Sequence, residues 1–113
     1  MIFGSDNMVG ASAPVLDAIV AANAGEQPSY GADAWCEAAE REIGRVFETP
    51  VRAFFVSTGS VANSLALSAL VPPWGAVLCQ TDAHVLADES SAPEFFTGGA
   101  RLVPLEAGQG KLQ

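Results

Sequence analysis

The sequence predicts an α/β fold, a parallel-type sheet with helices on its faces. Two observations predict it. Apolar runs of strand length at residues 53–56 and 76–79, with a third strand candidate at 101–105, alternate with segments of helical pattern, the order that gives βαβ units. Residues 53–81 carry no charged side chain, which marks a stretch meant for the inside of a protein. Serines, Gly59, Asn63 and Pro72-Pro73 interrupt it, so it lacks the run of about 20 apolar residues that a membrane-crossing helix needs. A chain of 113 residues, half of them hydrophobic, suits one domain with a real core.

The elements follow in order. Residues 1–12 form an irregular arm rich in turn formers. Ser12 ahead of Pro14 is a helix start, Val15, Leu16, Ile19 and Val20 recur at helical spacing, and Gly25 sits where a C-cap glycine belongs. Residues 25–33 are loop. A second helix runs from Asp33 to about Phe47, with Trp35, Cys36, Ala39, Ile43, Val46 and Phe47 on its apolar face. Glu37 and Arg41 pair on its wet side. The run at 53–56 is the first strand candidate. The uncharged helix over 61–71 is expected to be buried on nearly all sides.

Pro72-Pro73-Trp74-Gly75 is a turn, 76–79 a second strand, 82–96 a polar connection and helix, and Thr97-Gly98-Gly99 its stop. Residues 101–105 make the third strand. The organisation expected is therefore an arm with two helices over 1–50 and the first βαβ units of one truncated domain over 51–113. Three parallel strands leave uncovered apolar edges, and residues 108–113 read as a loop entering a further helix. The chain is expected to be a fragment of a longer protein.

Thirteen carboxylates against five Lys/Arg give a formal charge of −8. Such a surface repels phosphate backbones and anionic lipid, which disfavours nucleic acid and membrane surfaces as partners. The N-terminus has neither a basic nor an apolar segment of signal-peptide type. Cys36 and Cys79 form no metal or redox motif and read as two buried thiols in a reducing cytosol.

Three constellations could carry chemistry. Residues 57–63, Ser-Thr-Gly-Ser-Val-Ala-Asn, join a strand to a helix. Unsatisfied amides and a partial positive charge at a helix N-terminus are the usual basis of a phosphate site, and an ordinary N-cap serves the same residues as well. His84, the single histidine, follows the 76–79 strand at its carboxyl end, where ligands gather in open α/β sheets. It could stack on a flat cofactor, move a proton, or be a polar loop residue. With Asp82, Asp88 and Glu89 it makes no familiar metal-ligand spacing. The arm (Gly4-Ser5-Asp6-Asn7) and Tyr30-Gly31-Ala32-Asp33 read by themselves as turns.

Taken together the pieces resemble one family. Phe3-x-Ser5-Asp6-Asn7, Tyr30-Gly31-x-Asp33, Thr58-Gly59-Ser60-x-Ala62-Asn63, Ala83-His84-Val85-x-x-Asp88-Glu89 and Ala92-Pro93-Glu94-Phe95-Phe96-Thr97-Gly98-Gly99 occur in register over essentially the whole chain. This resembles the front part of the low-specificity L-threonine aldolases, in the β-eliminating lyase group of pyridoxal-phosphate enzymes.

The resemblance implies the N-terminal part of a type I aminotransferase-like large domain, cytoplasmic, in a homodimer or homotetramer. It implies an aldehyde-lyase that cleaves L-threonine and other β-hydroxy-α-amino acids to glycine and an aldehyde. By resemblance, Gly59 and Ser60 would hold the phosphate of pyridoxal 5'-phosphate. His84 would stack on its ring and take part in proton transfer at the substrate hydroxyl. Ser5 would lie by the substrate carboxylate, Tyr30 would contribute to the substrate site, and Asp6 and Glu89 would orient neighbours.

Lys111, the one lysine, matches a Gly-Lys-Leu turn of the family and not its Schiff-base position. The isolated chain is therefore expected to be inactive. Two rivals remain: a related pyridoxal-phosphate enzyme acting on another amino acid, and a non-catalytic chain that completes its sheet with a partner.

Overall fold

The structure is a computed structural model that describes residues 8–108. Seven elements follow one another: α1 (Ala13–Ala22), α2 (Ala34–Phe47), α3 (Gly59–Leu70), β1 (Ala76–Gln80), α4 (His84–Ala87), α5 (Ala92–Phe96) and β2 (Arg101–Leu105). The chain divides between Phe54 and Phe55 into two compact units.

In the first unit, helix starts are set by local chemistry. Ser12 is the N-cap of α1 and Pro14 lies in its first turn, where a missing amide costs nothing. The helix ends at Asn23, two residues before the expected glycine, and Gly25 takes a left-handed φ of 80° in the turn beyond. Asp33 caps α2 by accepting from the amides of Trp35 at 3.0 Å and Cys36 at 2.8 Å. Glu48 closes α2 in a left-handed conformation. Glu37 and Arg41 make the expected pair at 4.0 Å on the open side. Neither helix has a fully buried residue. The apolar side chains of α1 are exposed, and Cys36 is half-buried, against the expectation of a buried thiol.

In the second unit β1 and β2 pair in parallel, Ala76 opposite Arg101 through Gln80 opposite Leu105. The Gly75 carbonyl starts the pairing by accepting from Arg101 N–H at 3.1 Å. A Cβ at Gly75 would stand 2.6 Å from Val71 Cγ1 and 3.0 Å from the Pro72 carbonyl, so only glycine fits this turn into β1. Pro104 lies opposite Cys79 and brings no amide to the ladder, which suits an edge strand. The core holds small residues: Ser64, Cys79, Pro93, Thr97 and Ala100 are buried, with α3 packed on α5.

Three expectations are corrected. Residues 53–56 form no strand, since among the described residues only β1 and β2 exchange ladder hydrogen bonds, and Phe54 and Phe55 stay exposed. The polar connection and helix expected over 82–96 contain two short helices, broken where Ser90 and Ser91 turn left-handed. Pro93 in the first turn of α5 suits a fresh helix start and not a helix interior. The helix expected to be buried all round begins two residues early, at Gly59, and buries only Ser64. Its main neighbour is α5, which covers one side of it.

The stop after α5 is as expected. Thr97 Oγ1 donates to the Pro93 carbonyl at 2.8 Å and accepts from Ala100 N–H at 3.1 Å. Gly98 and Gly99 have φ of 76° and 123°, which side-chain-bearing residues adopt only with strain. This turn delivers the chain to β2.

Candidate functional site

The site is built at the carboxyl end of β1. Thr58 is the N-cap of α3, its hydroxyl oxygen accepting from Val61 N–H at 3.3 Å while its carbonyl takes Ala62 N–H at 3.1 Å. Among the described residues the amides of Gly59 and Ser60 are left without a backbone partner. Gly59 has open space around the position of a Cβ, and the first turn of α3 carries no acidic side chain. Two free amides, the Ser60 hydroxyl and the helix dipole form a donor set that fits a phosphate group.

Chain leaving β1 turns at once. Gln80 Oε1 accepts from Asp82 N–H, with Oε1 and N 2.6 Å apart, and α4 begins with His84. The imidazole is largely exposed, at 68% of its side chain, yet its Nδ1 lies 2.9 Å from Glu89 Oε1. The Glu89 side chain is fully buried. The same oxygen accepts from Asn63 Nδ2 at 2.7 Å, and Glu89 Oε2 has no partner among the described residues. Asn63 stands one helical turn beyond Gly59. A short chain of hydrogen bonds thus ties the first turns of α3 to the one histidine.

Chains of the same make are known. The beta-eliminating lyase family pattern matches residues 3–113. The chain belongs to the beta-eliminating lyase family. Within that family it is 41% identical over 110 residues to the low-specificity L-threonine aldolases of Pseudomonas sp. (strain NCIMB 10558) and Pseudomonas aeruginosa PAO1. Those alignments cover 97% of this chain and 32% of each relative, so the chain spans about a third of their length. Among solved structures, threonine aldolase from Leishmania major superposes with a TM-score of 0.84 at 32% identity, over 93% of this chain and 30% of that one. The α/β class read from the sequence is thus shared with a threonine aldolase.

The predicted site residues of this family member fall into three groups. Gly59, Ser60 and His84 lie in the second unit, on the two segments that Asn63 and Glu89 connect. Tyr30 lies in the first unit, fully exposed, with a left-handed φ of 62° beside Gly31 at 76°. Such a φ in a tyrosine is strained and is held at sites more often than elsewhere. Ser5 and Lys111 lie outside the described residues.

A groove of the first unit, about 660 Å³, runs between α2 and residues 48–52, with Glu37, Arg41 and Arg52 on its walls. It contains none of the predicted residues. Asn63 had a place in the sequence motif but no assigned role. Its partner is 26 residues away, which no local pattern signals. Among the described residues no three His, Cys, Asp or Glu side chains group as metal ligands, and no helix is long and apolar enough to cross a membrane.

Proposed function

We propose that this chain is part of a pyridoxal-phosphate-dependent aldehyde-lyase of threonine-aldolase type. It acts on L-threonine and related β-hydroxy-α-amino acids, releasing glycine and an aldehyde. The observation that carries the reading is the Asn63–Glu89–His84 chain of hydrogen bonds. It joins a helix start fitted for phosphate to an exposed imidazole. The Pseudomonas relatives and the Leishmania structure, all threonine aldolases by name, support it.

Each residue then has a physical task. The Gly59 and Ser60 amides, with the Ser60 hydroxyl, would hold the cofactor phosphate. His84 would stack on the cofactor and would take the proton of the substrate β-hydroxyl, so that the oxygen could become the carbonyl of the departing aldehyde. The chemistry that pyridoxal phosphate supplies when bound is an electron sink for the pair left on Cα as the Cα–Cβ bond breaks. Tyr30 and Ser5 contribute to the substrate site. The working form in this reading is a cytoplasmic homodimer or homotetramer.

Glycine release from threonine and allo-threonine by the intact protein tests the reading. His84→Asn is expected to lower the rate roughly a hundredfold, the worth of one positioned proton-transfer group. Pyridoxal-phosphate binding without glycine from either substrate would overturn it in favour of a related enzyme that acts on another amino acid.

A further inference from the structure

The lone pair on the His84 imidazole has only one place to be. Glu89 Oε1 already accepts from Asn63 Nδ2 at 2.7 Å. With Glu89 as the carboxylate, an acceptor only, the imidazole nitrogen 2.9 Å away, Nδ1, faces an acceptor and carries its own proton. In a neutral ring that leaves the lone pair on Nε2, and the ring is 68% exposed while Glu89 is fully buried behind it. Asn63 in turn fixes the carboxylate from α3. A buried carboxylate held by two donors on one oxygen cannot swing away without leaving both unpaired, which is costly out of water.

We propose that Glu89 is a positioning residue, braced by Asn63, that holds His84 as the Nδ1–H tautomer and so makes Nε2 the atom that exchanges a proton with substrate. The proposal rests on the reading of His84 as the proton-transferring group. It adds the atom, the tautomer and the two residues that impose them. A free imidazole in water favours the opposite tautomer, so the bias has to come from a partner such as Glu89.

The test is long-range ¹H–¹⁵N correlation on the ¹⁵N-labelled intact protein, at a pH above the ordinary imidazole range. The His84 signals are identified by their loss in His84→Asn. The expected spectrum shows a protonated Nδ1 and an unprotonated Nε2. Glu89→Met, similar in length but without a strong acceptor, is expected to move the ring mainly to the Nε2–H form. Glu89→Gln, whose carbonyl still accepts, is expected to keep the Nδ1–H form.

In glycine release, Glu89→Met should lose roughly a hundredfold in kcat with KM little changed, and Glu89→Gln should restore most of that. An Nε2–H ring or an imidazolium in the unmodified protein overturns the proposal, and so does an unchanged spectrum in folded Glu89→Met. Should that variant not fold, the unmodified protein and Glu89→Gln still decide, since either one showing Nε2–H is fatal. The expected spectra without any glycine release would sustain the Glu89–His84 assignment and remove the aldolase reading, so the two failures are separable.

Discussion

Asn63 Nδ2 donates to Glu89 Oε1 at 2.7 Å across 26 residues of chain. It joins the second turn of α3 to the residue on which His84 also closes. Glu89 is buried and its second oxygen has no partner among the described residues, so this one contact holds half of what the carboxylate is offered. Removing it exposes the cost of a buried acceptor short of donors.

Asn63→Ala is accordingly expected to destabilise the protein by about 1–3 kcal/mol, the usual penalty for leaving a buried polar group under-satisfied. Urea unfolding of the intact protein measures it. Asn63→Asp should be worse, because it sets a second carboxylate against Glu89. A midpoint unchanged in both variants would show that the contact carries no stability.

Ser60→Pro separates phosphate binding from folding. Proline is well tolerated in the first turn of a helix, and α3 starts at Gly59, so thermal stability should hardly move. The variant removes one amide donor and one hydroxyl from the proposed cradle. Hydrogen bonds to a charged group are worth about 1.5–3 kcal/mol each, so pyridoxal-phosphate affinity should fall at least about tenfold in an absorbance titration. Unchanged affinity would place the phosphate elsewhere.

The cap of α2 makes stability depend on acid. The Cys36 thiol first, then the Cys36 amide, hold the Asp33 carboxyl below its ordinary value of 3.8. A carboxylate whose pKa is lowered on folding stabilises the fold above its unfolded value, and that contribution is lost as pH falls through the folded value. Asp33→Ala should therefore lower Tm by a few degrees at neutral pH, and the difference should close as pH falls below the ordinary carboxyl value and through the lowered folded one. Asp33→Asn, also a good cap, should lose far less at neutral pH.

Cys36 feels the same pair from the other side. Its hydrogen bond to the Asp33 carboxylate, then desolvation and the negative charge of Asp33, push its thiol pKa above the ordinary value. Since the thiolate is the reactive form, alkylation of Cys36 near pH 8 should run several-fold slower than that of a free thiol and speed up in Asp33→Asn. Peptide mapping by mass spectrometry reads Cys36 separately from the buried Cys79.

What could be read from the sequence was set by neighbours in the chain. Ser12 with Pro14, Asp33 ahead of α2, Thr58 ahead of α3 and Gly98-Gly99 after α5 each act within a few residues. These helix starts and stops were therefore legible to within a turn, whereas the break between α4 and α5 was not. Strand length and alternation with helices gave β1, β2 and their parallel pairing, and His84 stood out as the one imidazole.

The tertiary structure decided what depends on partners far along the chain. Residues 53–56 have strand composition but no strand partner among the described residues, and a strand exists only where another backbone takes its hydrogen bonds. Glu89 is buried beside His84 just ahead of the break at Ser90–Ser91, a break that the polar connection and helix expected over 82–96 did not include. By itself the sequence determined the local elements and the residue types that could do chemistry. Only packing decided that Asn63, Glu89 and His84 meet, because hydrogen bonds between residues far apart in the chain leave no periodic trace in it.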